Sequence, residues 1–396
     1  RTFLADIMPK TFDRAETLEV MKRDAAAALT RGAGWWWYEF SAGQRGAAAA
    51  EWFADPEVEA LAGRLKQVYD FALTLPDRGP AAEIAVFYHG QTHTAMPVFP
   101  PALPLNLDLG RLTLIDGMQR IGAPFDLYNL DDLPELARRG LLDQYRLCVM
   151  LNPFYLTPEE RQSLDLCRSA GRTVLWLWAP GLAGPDRSSS AEAVSELIGI
   201  PGVRLLQHDR EPTCRLTDRG HPLSAGAPSE LAPRPFSEGS VWKQWGNKIA
   251  PVPYVDPKAA TEDTRILGYW VEAGAVCQDM AAVCVRDLRS EPGRGWASVY
   301  CAVPYLPVEM LRNAARFAGV HLYRESNDVL FADRHFVAVH TGAAPATDAL
   351  RLPRKTAVYD VFGNRRLAAT DRLPLDLPSY STVLYYLGDP ADLELP

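Results

Sequence analysis

Thr173-Val174-Leu175-Trp176-Leu177 is a run of β-branched and apolar residues that stops at Ala179-Pro180-Gly181. A strand that is apolar on both faces is buried on both, as in a parallel sheet covered by helices. Upstream, Thr157-Pro158-Glu159-Glu160 begins a helix, with Thr157 as cap and an acidic first turn facing the helix dipole. Arg146 to Leu151 is a second strand-length run, and Glu83-Ile84-Ala85-Val86-Phe87-Tyr88 a third. Between them Leu109 to Ile121 reads as a helix and Phe125-Asp126-Leu127-Tyr128 as a short strand. Strands alternating with helices predict an open parallel α/β sheet.

Downstream, residues 200–305 are mixed, with strand candidates at Arg265 to Val271, Ala281 to Val285 and Trp296 to Val303. Leu306 to Ala318, with Pro307 in its first turn, is a helix that closes the sheet domain. From Val329 the pattern changes to strands and turns: Val329 to Ala332, Phe336 to His340, Thr356 to Asp360 and Thr382 to Leu387. Val361-Phe362-Gly363-Asn364 is a tight turn into another strand. The expectation is a small antiparallel β-sandwich.

The first 75 residues read as strand, helix, strand, helix. Leu4-Ala5-Asp6-Ile7 ends near a carboxylate, and Gly34-Trp35-Trp36-Trp37-Tyr38-Glu39-Phe40 ends in tryptophans and a second one. The helix between them carries Leu18, Met21, Ala25, Ala28 and Leu29 at helical spacing, with Gly32 and Gly34 as stop signals. Asp55-Pro56-Glu57 opens a second helix that runs to Leu75, with Asp55 as N-cap. These are two βα units, whereas eight close a barrel. Pro76-Asp77-Arg78-Gly79-Pro80 is a linker by composition.

The chemistry follows from these strand ends. Tryptophan faces cover the apolar side of a sugar ring, and two carboxyl groups can divide the work of cleaving a glycosidic bond. Two readings stand for Asp6: a nucleophile or substrate contact, or a solvated acid paired with Lys10 or Arg23. Glu39 is either an acceptor for sugar hydroxyls or a structural ion-pair member. Trp35 to Trp37 are either platform or core; only one of Trp36 and Trp37 can face a barrel mouth, because strand side chains alternate. Trp52, on the following loop, is the better platform.

The net charge is −8 over 396 residues, and the isoelectric point near 5.5 gives no basic face for nucleic acid. No apolar run reaches the ~20 residues of a membrane span, and no signal peptide is visible. Cys148, Cys167, Cys214, Cys277, Cys284 and Cys301 show no zinc-type spacing; reduced thiols, a cytoplasmic protein and no cofactor are expected. A start at Arg1 suggests a fragment or a processed chain. His89 and His93 follow the Glu83–Tyr88 strand, where α/β sheets gather ligands. They are expected to bond to backbone, since a metal would need a third ligand and only Asp108 or Asp116 suggests itself. His321, His335 and His340 are expected to be structural, and Asp209-Arg210-Glu211 a solvated surface.

Four stretches together resemble the bacterial glycoside hydrolases of the family 42 β-galactosidase type. Phe3-Leu4-Ala5-Asp6-Ile7 with Thr11-Phe12 resembles the seventh barrel strand of such enzymes. Trp36-Trp37-Tyr38-Glu39-Phe40 with Trp52-Phe53-Ala54-Asp55 resembles the eighth and its loop. Ala318-Gly319-Val320-His321-Leu322-Tyr323 resembles the close of the second domain. Leu352-Pro353-Arg354-Lys355 with Val358-Tyr359-Asp360-Val361-Phe362 resembles the C-terminal signature.

The resemblance implies three parts. Residues 1–78 would be the last two βα units of a (β/α)8 barrel. Residues 79–325 would form a flavodoxin-like, class I glutamine amidotransferase-like domain that mediates trimer contacts, and residues 326–396 the small C-terminal β domain. It also implies a carbohydrate substrate and a homo-oligomer. Two departures matter. The family has a glutamate nucleophile where this chain has Asp6, and a ~1 Å retreat from the reacting carbon can cost on the order of 100-fold in rate. The family's general acid lies on the fourth barrel strand, before the matching region, so this chain alone is not expected to hydrolyse sugars. The amidotransferase turn reads Ala179-Pro180-Gly181-Leu182, without the cysteine such chemistry needs. Two functions follow: the later part of a retaining glycosidase acting on β-linked sugars such as β-galactosides, with Asp6 at the nucleophile position and Trp36, Glu39 and Trp52 on the substrate; or a non-catalytic oligomerisation module.

Overall fold

The computed structural model describes residues 14–36, 55–95, 113, 117–186, 188–207, 213–232, 251–291, 295–389 and 391. They form two compact units, one built from residues 1–82, 119–124 and 322–396 and the other from residues 83–118 and 125–321. The architecture is mixed α/β, with a large sheet rich in parallel pairs and a separate antiparallel sheet. No described helix is long and apolar enough to cross a membrane.

In the first unit, helix α1 (Arg14–Thr30) buries Met21, Ala25, Ala28 and Leu29 of the five spaced residues in the sequence reading, while Leu18 is half-buried. It ends at Gly32, whose φ of +63° a side chain would resist. Helix α2 (Pro56–Thr74) opens as its sequence dictates. The Asp55 carboxylate accepts from the N–H groups of Glu57 and Val58, and Pro56 occupies the first turn.

The larger sheet belongs to the second unit. Its first strand, β1 (Ile84–Tyr88), is followed by the short helix α3 (Gly90–Ala95), then β2 (Asp126–Asn129), β3 (Leu147–Met150) and β4 (Thr173–Leu177). Then come β5 (Val203–Leu206), β6 (Cys214–Leu216), β7 (Glu230–Leu231), β8 (Val252–Val255), β9 (Thr264–Glu272), β10 (Ala275–Asp287) and β11 (Ala297–Cys301). The spatial order is β2-β1-β3-β4-β11-β10-β9-β6-β7, with β5 and β8 off this path. Pairing from β2 through β11 is parallel, and from β11 to β7 antiparallel.

The expected parallel sheet is therefore half of the observed one. The other half hangs on the β9–β10 hairpin, whose turn places Ala273 at φ +47° and Gly274 at +81°. Positive φ at both central residues matches the right-handed twist of the flanking strands.

Of the expected helix Leu109 to Ile121 only residue 113 and residues 117–121 are described, and Met118–Arg120 is a 3-10 turn. The closing helix is present as Val308–Phe317, with Pro307 as its cap rather than within its first turn.

The C-terminal strands of the first unit are β12 (Val329–Ala332), β13 (Phe336–His340), β14 (Ala349–Asp360), β15 (Arg365–Pro374) and β16 (Thr382–Leu387). They form one antiparallel sheet, ordered β12-β13-β16-β14-β15, where the sequence reading expects a sandwich. Both faces carry apolar layers. Phe331, Phe336, Ala338, Leu384 and Tyr386 pack with Ala26, Leu29, Val68 and Ala72 of the two helices. Val337, Val339 and Tyr385 pack with Leu350, Leu352, Leu373 and Leu375 from the far half of the bulged β14–β15 hairpin. That hairpin supplies the second layer without a second sheet.

Candidate functional site

Asp6, Glu39 and Trp52 lie outside the described residues, as do Lys10, Trp37, Asp108, Asp116 and the Asp209–Glu211 stretch. Trp36 is described and is 48% exposed. Its neighbour Trp35 is half-buried and meets Tyr69 edge-on at 5.1 Å. Arg23, one suggested partner for Asp6, sits 2.8 Å from Asp24.

The turn after β4 carries no cysteine, and the next helix begins only at Ala191. Trp178, the first residue beyond the strand, holds φ at +57°, an unusual value for a bulky side chain. It is fully buried, meets Phe154 edge-on at 4.6 Å, and accepts a 2.7 Å hydrogen bond at its carbonyl from Tyr300. Cys148, Cys167, Cys214, Cys284 and Cys301 are buried thiols. Burial suppresses ionisation of Cys214, Cys284 and Cys301, and it pushes the Cys301 thiol up to about 12. The turn itself carries no thiol of the kind nucleophilic acyl transfer uses.

A polar cluster stands instead at the carboxyl ends of β1, β2 and β3. The chain passes from β1 to β2 on one side and then to β3 on the other, so the crevice between β1 and β3 is the topological switch point where open α/β sheets bind ligands. His89 follows β1 directly and is almost completely buried. Its N–H donates to Asn152 Oδ1 at 2.8 Å, and Asn152 Nδ2 donates to the His89 carbonyl at 3.1 Å, tying the two strand ends together. The His89 ring lies between two side chains, Thr92 Oγ1 at 2.8 Å from Nδ1 and Glu160 Oε1 at 3.0 Å from Nε2.

Glu160 is held by the capping box visible in the sequence. Its Oε2 accepts from the Thr157 N–H at 2.7 Å, and Thr157 Oγ1 accepts from the Glu160 N–H at 3.2 Å. Oε1 is thereby left to face the imidazole. Burial works to raise the Glu160 carboxyl; the Thr157 N–H and the His89 ring outweigh it and hold it below its ordinary value. Asp131, on the turn after β2, completes a group in which one ligand atom from each of His89, Asp131 and Glu160 lies within 4.8 Å of the others.

The expectation of backbone-bonded histidines is corrected at His89, whose ring partners are both side chains. His93 stacks on Tyr88 at 5.4 Å between ring centres, and burial with the neighbouring His89 pushes its pKa down. The sequence did carry a signal for the acid partner: the capping glutamate follows the neighbouring strand of a doubly wound sheet. Asp131 carried none beyond its place after a strand.

No protein-family model matches the chain, and no curated protein matches it. Solved structures do. The β-galactosidase from the Antarctic haloarchaeon Halorubrum lacusprofundi aligns over 98% of this chain and 53% of its own, at 14% identity and a TM-score of 0.60. That from Rahnella sp. R3 aligns over 96% and 52%, at 12% identity and a TM-score of 0.59. A GH42 β-galactosidase from G. stearothermophilus, solved as a catalytic mutant, aligns over 98% and 59%, at 10% identity and a TM-score of 0.54. The chain thus spans about half the length of these enzymes and shares its fold with that half.

Proposed function

We propose that this chain is the later part of a glycoside hydrolase of the family 42 type, acting on β-linked sugars such as β-galactosides by a retaining, two-carboxylate mechanism. The observation that carries the reading is the fold likeness to β-galactosidases over nearly the whole chain, both units included. Residues 1–78 supply the last barrel units, residues 79–325 an amidotransferase-like domain and residues 326–396 the C-terminal β domain. Asp6 stands at the nucleophile position, Glu39 accepts hydrogen bonds from sugar hydroxyls, and Trp36 and Trp52 cover the ring's apolar face. Retention also needs a general acid whose carboxyl lies ~5–5.5 Å from the nucleophile's.

The amidotransferase-like domain serves assembly rather than catalysis, in a cytoplasmic homotrimer. The buried Trp178 at its strand-end turn supports an inactive domain. The other reading, a non-catalytic oligomerisation module, shares this point and differs only at the barrel.

The test is hydrolysis of p-nitrophenyl β-D-galactopyranoside by the native protein. Asp6→Asn should abolish turnover. Asp6→Glu should raise it by on the order of 100-fold, because it restores about 1 Å of reach. Absence of hydrolysis by the native protein, or rates indifferent to both substitutions, overturns the enzyme reading in favour of the module.

A further inference from the structure

We propose that His89, Glu160 and Asp131 form a binding site for one divalent transition-metal cation of the zinc type, at the β1/β3 switch point of the larger sheet. This site is independent of the glycosidase reading, since no barrel residue takes part.

The geometry starts from Thr92, a fully buried residue. Its Oγ1 accepts from the Tyr155 N–H at 3.4 Å and stands 2.8 Å from His89 Nδ1. With Nδ1–H donated to that oxygen, Nε2 carries a lone pair. Glu160 Oε1, 3.0 Å away, carries lone pairs as well. With the proton on Nε2 instead, that N–H donates to Glu160; in the Nδ1–H tautomer two acceptors face each other, and a cation between them satisfies both. Ligand atoms about 2.0–2.1 Å from a tetrahedral ion lie roughly 3.3 Å apart, so a shift of a few tenths of an ångström admits one. Asp131, exposed and within 4.8 Å, brings the third ligand atom, and solvent can occupy the fourth position.

The supports around the ligands match what metal sites require. The second imidazole nitrogen is fixed by Thr92, the second carboxylate oxygen of Glu160 by the Thr157 N–H, and the His89 backbone by Asn152. Imidazole with carboxylates suits zinc or its neighbours in the first row better than calcium or magnesium, which prefer all-oxygen shells. A ligand position left to solvent also matches sites where a metal polarises a bound molecule rather than only bracing the fold.

Equilibrium dialysis of the chelator-stripped chain against zinc chloride tests the proposal, with cobalt(II) absorption reporting coordination geometry. One equivalent should bind, with the intense visible bands of four-coordinate cobalt. Asp131→Asn, at an exposed position, should weaken affinity at least tenfold. Glu160→Gln keeps a capping box, since glutamine serves there as well as glutamate, and should weaken it by 100-fold or more. Circular dichroism of both variants should match the parent. No stoichiometric uptake at about 100 µM zinc, or both variants binding as the parent does, would overturn the site and leave His89 and Glu160 as a hydrogen-bonded structural pair.

Discussion

Gly122 holds φ at +85°, and a Cβ built there overlaps the carbonyl oxygen of Arg324. The same loop accepts hydrogen bonds from the N–H groups of Tyr323 and Arg324 at the Gly122 carbonyl, so neither chain can retreat cheaply. Gly122→Ala should destabilise the first unit by on the order of 2–4 kcal/mol, read as a loss of denaturant midpoint. His340 bears on pH. Burial, with Arg23 nearby, pushes its pKa below the ordinary 6.5, and its Nδ1 lies 2.9 Å from Thr382 Oγ1. As pH falls through 6.5, the unfolded chain takes up a proton that the folded chain refuses, so stability is lost on that side and retained above it. His340→Gln should flatten the slope between pH 7 and 5 in urea titrations; an unchanged slope would contradict the assignment. Residue-scale legibility divides along sequence distance. The Thr157–Glu160 cap is local and was readable; the Glu160–His89 contact joins residues 71 positions apart, and only the sheet order brings them together.

Elements with strong local signals came out with nearly the expected limits. β4, β12, β13 and β16 have the bounds read from apolar runs, and α2 starts at its Asp-Pro signal. Less legible were β5 to β8, short strands whose pairing is decided by distant partners rather than by their own pattern. β14 extends seven residues upstream of the expected start at Thr356, because its outer half is stabilised by the β15 partner and the Leu350–Leu375 layer. The helices of the first unit gain their stability from this sheet. α1 has little amphipathic contrast of its own, yet Leu29 is buried against Phe336 and Leu384, and Thr382 donates its N–H to Glu19 Oε2 at 2.5 Å. Leu29→Ala should cost about 2–4 kcal/mol. Amide exchange should quicken in β13 and β16 as well as in α1, whereas acceleration confined to α1 would show the helix to be an independent appendage.

At the scale of the molecule, the sequence conveyed a family likeness through the order and spacing of four modest motifs, and the fold bears that likeness at 10–14% identity. Sheet order, core volume and patterning set a fold more than residue identity does, so sequence can drift while architecture stays. The antiparallel half of the larger sheet and the switch-point cluster were not legible, since both arise from pairing across the whole domain. Catalysis is the claim that remains to be measured on the complete native protein. Exposure to 2,4-dinitrophenyl 2-deoxy-2-fluoro-β-D-galactopyranoside, followed by peptide mapping, tests it most directly, because the fluorine slows breakdown of a covalent glycosyl-enzyme. The account predicts one fluorogalactosyl group on the peptide that carries Asp6, lost in Asp6→Asn. An unlabelled protein, or a label on any other carboxylate, would contradict it.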